Sequence, residues 1–234
     1  MIYEMRFYAV THGRTADANA RFTGKLPELF ARHGVQCVGA WNALAGPGAP
    51  RFVYLLAYRD FAHREEAWAG FYADPQWTKV RAETNAGHEM IERHDLFFLK
   101  ANASWQPVTT APDTGVGEVH EIILQQIAPG RISAVNEFLG GTWLPALQKE
   151  GARNLGIFDM VSGYGMPQIV MFNAWPGAAA WQRGRLAMDS TGAVQLAFST
   201  QRHNVGQPLF GRTEVNLLAP VVGVVIHPTL GRLV

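Results

Sequence analysis

Glu4, Arg6 and Tyr8 stand at alternate positions near the start of the chain, and together they could act on a small molecule. A carboxylate, a guanidinium and a phenol spaced by two share one face of a strand. Apolar surroundings favour the protonated form of a buried carboxyl, so Glu4 could exchange a proton as acid or base. The planar fork of Arg6 could orient a carboxylate or enolate oxygen. Tyr8, with Tyr54 and Tyr58 further along, could donate to a substrate oxygen. A structural reading stands beside this one: a buried carboxylate needs a partner, and Glu4 paired with Arg6 or Arg131 would close a sheet. His63 falls near a helix start, where the dipole favours neutral imidazole as a base; its plainer role is a cap or a surface side chain. His94, at the start of a strand, reads as structural.

Other chemistries are excluded by pattern. Cys37 is the only cysteine, which removes intramolecular disulfides and CxxC redox pairs. The eight histidines are scattered, without HExxH or H-x-E…P-C-x-x-C spacing, so no metal site is expected. A haem held by one axial histidine would leave no pattern, but no cofactor is implied by any motif. No Gly-rich phosphate loop follows a strand, and no G-x-S-x-G occurs. With 20 basic against 19 acidic residues and no long run of like charge, a nucleic-acid partner is excluded. Met1 to Arg14 carries Glu4 and Arg6 where a signal peptide needs an apolar stretch. Met160 to Gln182 is uncharged but broken by Gly163, Gly165, Pro167, Asn173 and Pro176, which suggests two buried strands and their turn, not a membrane span. The expectation is a soluble, cytoplasmic protein.

The elements that position these residues are written twice. Residues 2–66 align without a gap on 119–183, an offset of 117, with 13 identities in 65 positions. All six glycines of the first segment meet glycines in the second: Gly13/Gly130, Gly24/Gly141, Gly34/Gly151, Gly39/Gly156, Gly46/Gly163 and Gly48/Gly165. Matched glycines mean matched backbone turns. Each copy reads as strand (2–10), helix (17–33, kinked at Pro27 and, one position out of register, at Pro145), strand (35–42), strand (51–58), helix (from Asp60 to about Met90, interrupted at Asp74-Pro75) and strand (94–100). This βαββαβ order is the ferredoxin-like unit. The fold class expected is α+β: two such repeats in a single-chain pseudo-dimeric α/β barrel. The domains expected are 1–105 and 118–234, joined by the Pro/Thr/Gly-rich linker 106–117. The tail, 215–234, is longer and more apolar than a last strand needs; it would cover the barrel or meet a neighbouring chain in a homo-oligomer of the pseudo-dimer.

Alternation splits the strands into two faces. The apolar set Tyr3, Met5, Phe7, Val53, Leu55 and Ala57, with its counterparts in the second copy, is expected to meet the helices. Glu4, Arg6, Tyr8, Trp41, Tyr54 and Tyr58, with Glu121, Phe158, Asn173 and Trp175, would then line the lumen. That aromatic, sparsely polar lining suits a hydrophobic, ring-bearing ligand, with Glu4, Arg6, Tyr8 and His63 as candidate catalytic groups.

Ile2-Tyr3-Glu4-Met5-Arg6-Phe7-Tyr8 resembles the opening of NIPSNAP-family domains, and His63-Arg64-Glu65-Glu66, Asp74-Pro75-Gln76-Trp77 and Phe97-Phe98-Leu99-Lys100 resemble that family's later motifs in the same order. The resemblance covers residues 1–105. The second copy keeps Glu121 but has Ile123 at the place of Arg6, and Ala180-Trp181 at the place of His63-Arg64, so it resembles a diverged copy. The resemblance implies the dimeric α/β barrel superfamily, whose members include cofactor-free monooxygenases, isomerases, cyclases, lyases and haem proteins. It does not imply one reaction. Two functions stay open: a metal-free enzyme working by acid/base chemistry on an aromatic or polyketide-like substrate, and a non-catalytic binding or scaffold protein.

Overall fold

Each copy does build the expected unit. A computed structural model of the protein describes residues 1–105, 118–190, 192, 194–196, 199 and 208–231; the expected linker, 106–117, lies outside them. The first half runs β1 (Ile2–Val10), α1 (Thr15–Thr23), α2 (Leu26–Arg32), β2 (Gln36–Ala45), β3 (Arg51–Tyr58), α3 (Phe61–Ala73), α4 (Pro75–Asn85) and β4 (Ile91–Ala101). The second runs β5 (Val119–Ile127), α5 (Ile132–Phe138), α6 (Leu144–Lys149), β6 (Arg153–Ser162), β7 (Gln168–Trp175), α7 (Ala178–Ser190) and β8 (Phe210–Pro220). The uncharged stretch from Met160 is thus the end of β6, a turn, β7 and the start of α7.

Local chemistry sets the helix limits. Asp60 caps α3 by accepting from the His63 amide at 2.8 Å, and Asp74 caps α4 by accepting from the Gln76 amide at 2.8 Å. Pro75 takes the first position of α4, where its missing N–H has no partner to lose. The helix expected to reach Met90 ends earlier, at Asn85, because Ala86 turns left-handed (φ 51°). Pro27 does not merely kink a helix: it restarts one, separating α1 from α2 at Gly24-Lys25. The second half solves the same problem differently. A π-helical turn, Leu139–Trp143, carries α5 into α6 without a break. Three of the matched glycine pairs share a left-handed conformation, Gly13/Gly130 at φ 82°/73°, Gly34/Gly151 at 71°/87° and Gly48/Gly165 at 69°/65°.

The eight strands close into one antiparallel barrel in the order β1-β3-β2-β8-β5-β7-β6-β4. The two four-stranded units meet edge to edge through β2–β8 and β4–β6, so no sheet edge is left open. The tail completes the closure. The amides of Val221, His227 and Leu230 donate to the carbonyls of Ala40, Val38 and Leu155, and Ile226 and Leu230 are buried among the lumen side chains. Of the two roles expected for the tail, covering the barrel is the one seen.

The lumen is a packed core, and this overturns the face assignment for β1, β3, β5 and β7. Tyr3, Met5, Phe7, Val53, Leu55 and Ala57 point inward, with Ile122, Leu124, Val170, Phe172 and Ala174 from the second half. Glu4, Arg6, Tyr8, Tyr54 and Tyr58 instead lie under the first-half helices, and Glu121, Asn173 and Trp175 lie on the corresponding face of the second. An eight-stranded barrel is just wide enough to be filled by side chains, so its interior takes the apolar set. A sheet-to-helix layer can bring charged partners from the helices, so the polar set is buried there. Trp41 and Phe158 do point into the lumen as expected. They do so because β2 and β6 each carry a bulge, at Cys37/Gly39 and Asn154/Gly156, which turns Val38 and Leu155 inward as well. A Cβ at Gly39 would collide with the Trp41 ring, and one at Gly156 would sit 2.9 Å from Phe158.

Candidate functional site

A cleft of about 580 Å3 lies between the first-half sheet and its four helices. That is within the roughly 300–1,000 Å3 range of small-molecule sites. Its walls are largely aromatic: Phe22 and Phe30 from α1 and α2, Phe52 and Tyr54 from β3, Trp68 from α3 and Trp77 from α4. Exposed Tyr72 and His94 are also among its walls and mark where it meets solvent.

One polar group of that wall is Tyr8, backed by a buried ion cluster. Glu4 is completely buried and accepts from Arg6 on one side and from Arg64 Nε at 2.7 Å on the other. Arg64 stands on α3, so the carboxylate ties sheet to helix. Two guanidinium groups against one carboxylate leave the cluster one positive charge in excess. Arg6 turns that excess toward the cleft: its Nη1 donates to Tyr8 Oη at 2.8 Å and to Tyr54 Oη at 3.4 Å, and its Cζ lies 4.1 Å from the Trp68 ring centroid. Burial works against this charge, but Tyr54, Tyr8 and Glu4 more than offset it, and the guanidinium is held above its ordinary value. Tyr54, pushed well above the ordinary phenol by burial and then by Tyr8, stays a neutral phenol. Tyr8 Oη accepts from Arg6 and neighbours the Tyr54 hydroxyl, and because a phenol both accepts and donates, its O–H remains a donor at the cleft wall. The His94 ring is 5.3 Å from that of Tyr8.

The structure therefore brings only part of the expected set together. Tyr8 and Tyr54 line the cleft, Arg6 stands directly behind them, and Glu4 positions Arg6 with both oxygens occupied by guanidinium donors. Tyr58 is buried beside this cluster without lining the cleft, its phenol pushed up by burial. His63 is not brought in: its amide donates to the capping Asp60 and its Nδ1 accepts from the Arg59 amide at 3.3 Å. Trp41 and Phe158 are inside the barrel, where Trp41 Nε1 donates to His120 Nδ1 at 3.0 Å. Trp68 and the mouth position of His94 were missed. Trp68 was legible in principle, since it stands four residues after Arg64 on the same helix face. His94 was not, because its role depends on which end of β4 borders the helices.

The second half repeats the frame with other chemistry. Glu121 occupies the place of Glu4 and is equally buried, but it accepts from Asn173 Nδ2 at 3.0 Å and Trp181 Nε1 at 2.8 Å. Ile123, Gln125 and Met171 stand where Arg6, Tyr8 and Tyr54 stand in the first half.

Among the described residues, no group of three or more His, Cys, Asp or Glu could hold a metal ion, and no helix is long and apolar enough to cross a membrane.

Comparison with known proteins assigns the frame. The NIPSNAP family model matches residues 3–105. No curated protein matches the chain. Among solved structures, a candidate monooxygenase from Lactobacillus acidophilus is similar over 94% of this chain and 93% of its own, at 11% identity and a TM-score of 0.59. An anthrone oxidase-like protein is similar over 94% and 90%, at 14% identity and a TM-score of 0.56. An uncharacterized NIPSNAP domain protein from Burkholderia xenovorans matches 48% of this chain and 100% of its own, at 23% identity and a TM-score of 0.37.

Proposed function

With residues 3–105 a NIPSNAP-family domain, we propose that its cleft takes a ring-bearing small molecule with an enolisable or phenolic oxygen and acts on it by proton transfer. The observation that carries this reading is the Arg6–Tyr8 pair, a buried cation in excess behind a phenolic hydroxyl at an aromatic wall. Such a pair stabilises negative charge developing on a substrate oxygen, which is the main demand of enolate formation. In this reading the Tyr8 O–H holds the oxygen, Arg6 supplies the field, and His94 at the mouth receives the proton from the adjacent carbon. The aromatic walls hold the rings. Residues 118–234 form a diverged copy that completes the barrel.

Enolate formation opens isomerisation, cyclisation and cofactor-free oxygenation alike. The fold shared with a candidate monooxygenase and an anthrone oxidase-like protein supports the last. In that reaction dioxygen converts an activated methylene to a ketone: one oxygen atom stays on carbon, and the other leaves as water with the two methylene hydrogens.

Anthrone in deuterated buffer under anaerobic conditions tests the proton transfer apart from the oxygenation. The expected result is accelerated exchange of its methylene hydrogens, reduced roughly 100-fold in Tyr8→Phe. Saturable binding without accelerated exchange would assign the cleft to a binding protein and overturn the enzymatic reading.

A further inference from the structure

The second half holds a separate cavity of about 150 Å3 between β5, β7 and the helices α5 and α7. Phe138, Leu139 and Met171 make it mostly apolar. Its charged group comes from a different element than in the first half. Arg185, on α7 where Trp68 stands on α3, lies 5.5 Å from the ring centroid of Trp143. The strand-borne arginine and helix-borne tryptophan of the first cleft have become a helix-borne arginine on a tryptophan from the π-helical turn. Such turns recur at functional sites, and this one sets both Leu139 and Trp143 in the cavity wall.

Two donors in this wall are unused. Arg185 Nη1 and Trp143 Nε1 are both buried, and neither has a hydrogen-bond partner among the described residues, although Asp189 lines the same cavity. Buried donors are almost always satisfied, and a charged one most of all. The nearby Gln125 does not supply the missing acceptor: its amide donates to the carbonyls of Gln126, Gly211 and Arg212, and its oxygen accepts from Thr213. The missing partner must therefore be an acceptor, preferably an anionic one, with an apolar body.

We propose that this cavity binds a small monocarboxylate, about one ring in size, whose oxygens accept from Arg185 Nη1 and Trp143 Nε1. The volume is well below the roughly 300 Å3 at which sites for larger ligands begin. A free phosphate would press its remaining charge against Phe138 and Met171, so the apolar walls select a carboxylate on an apolar body. This site is independent of the Tyr8 cleft.

The test is a benzoate titration of the 15N-labelled protein. The indole N–H resonances of Trp143 and Trp68, assigned with Trp143→Phe and Trp68→Phe, report the two clefts separately. Benzoate is expected to shift the Trp143 signal saturably, and neutral benzamide to leave it in place. Arg185→Met is expected to weaken benzoate binding at least tenfold with little change in melting temperature, since Nη1 makes no hydrogen bond and only the cation–π contact with Trp143 is lost. Should that variant fold poorly, Arg185→Gln is expected to show the same weakening. A Trp143 signal that does not move, moves equally with benzamide, responds more tightly to inorganic phosphate, or titrates unchanged in both Arg185 variants overturns the proposal. A shift confined to Trp68 also overturns it and assigns benzoate to the first cleft.

Discussion

The two clefts of this barrel start from one glutamate and end with different chemistry. Glu4 and Glu121 sit at equivalent points of β1 and β5, both completely buried under helices. Glu4 is neutralised twice over, by Arg6 and Arg64, and the surplus charge is handed to Tyr8. Glu121 is held by two neutral donors, Asn173 and Trp181, and hands on nothing. A conserved position in a duplicated fold therefore fixes where a carboxylate goes, and its neighbours decide whether the surrounding layer becomes a reactive site or a structural one.

The sharpest way to break this contrast is Arg6→Ile, which gives the first half the residue of the second. Glu4 then keeps only Arg64. The expected loss of stability is about 3 kcal/mol, the low end for a broken buried pair because one cation remains. Urea unfolding measures it, and adding Glu4→Gln is expected to restore part of the loss; a double variant no more stable than the single would show that the charge pair is not the cause. Tyr8→Phe should separate stability from function. Anthrone exchange is expected to fall roughly 100-fold while stability changes by about 1 kcal/mol.

Glu121→Gln sharpens the comparison from the other side. The amide nitrogen cannot accept, so one of the two hydrogen bonds from Asn173 and Trp181 is lost, at about 1–3 kcal/mol, and first-cleft exchange is expected to stay at the wild-type rate. An equal effect of Glu4→Gln and Glu121→Gln on exchange would erase the distinction between the halves.

The smallest effect concerns pH. The side-chain hydrogen bond from His33, then the Gln76 amide and Arg32, hold the Asp74 carboxyl at about 2, below its ordinary 3.8. A carboxyl depressed in the folded state stabilises it above the ordinary value, and that contribution is lost as pH falls through about 2. Asp74→Asn is expected to flatten the acid limb of the stability curve in that window, and a limb of unchanged steepness would assign it to other groups.

Much of the frame is legible in the sequence. Gly13/Gly130 and Gly34/Gly151 announced shared turns, Asp60 announced a helix start and Asp74-Pro75 a break in that helix, and the βαββαβ order announced the unit. The site was only half legible. Tyr8, Tyr54 and Arg6 were named, but on the wrong side of the sheet. Strand periodicity separates two faces without saying which one faces a lumen, and both faces of this barrel are buried. His63 does fall at a helix start, but there its ring accepts from the Arg59 amide and stays outside the cleft wall.

The amino-acid sequence alone determined the duplication, the strand and helix order, and which residues share a face, because these follow from local backbone preference and from periods of two and 3.6 residues. The tertiary structure decided the rest. Closing eight strands left an interior that only the apolar face could fill, and so drove Glu4, Arg6 and Tyr8 under the helices. There Arg64 and Trp68, some 60 positions away in the chain, could reach them, and a contact of that range has no signature in local spacing.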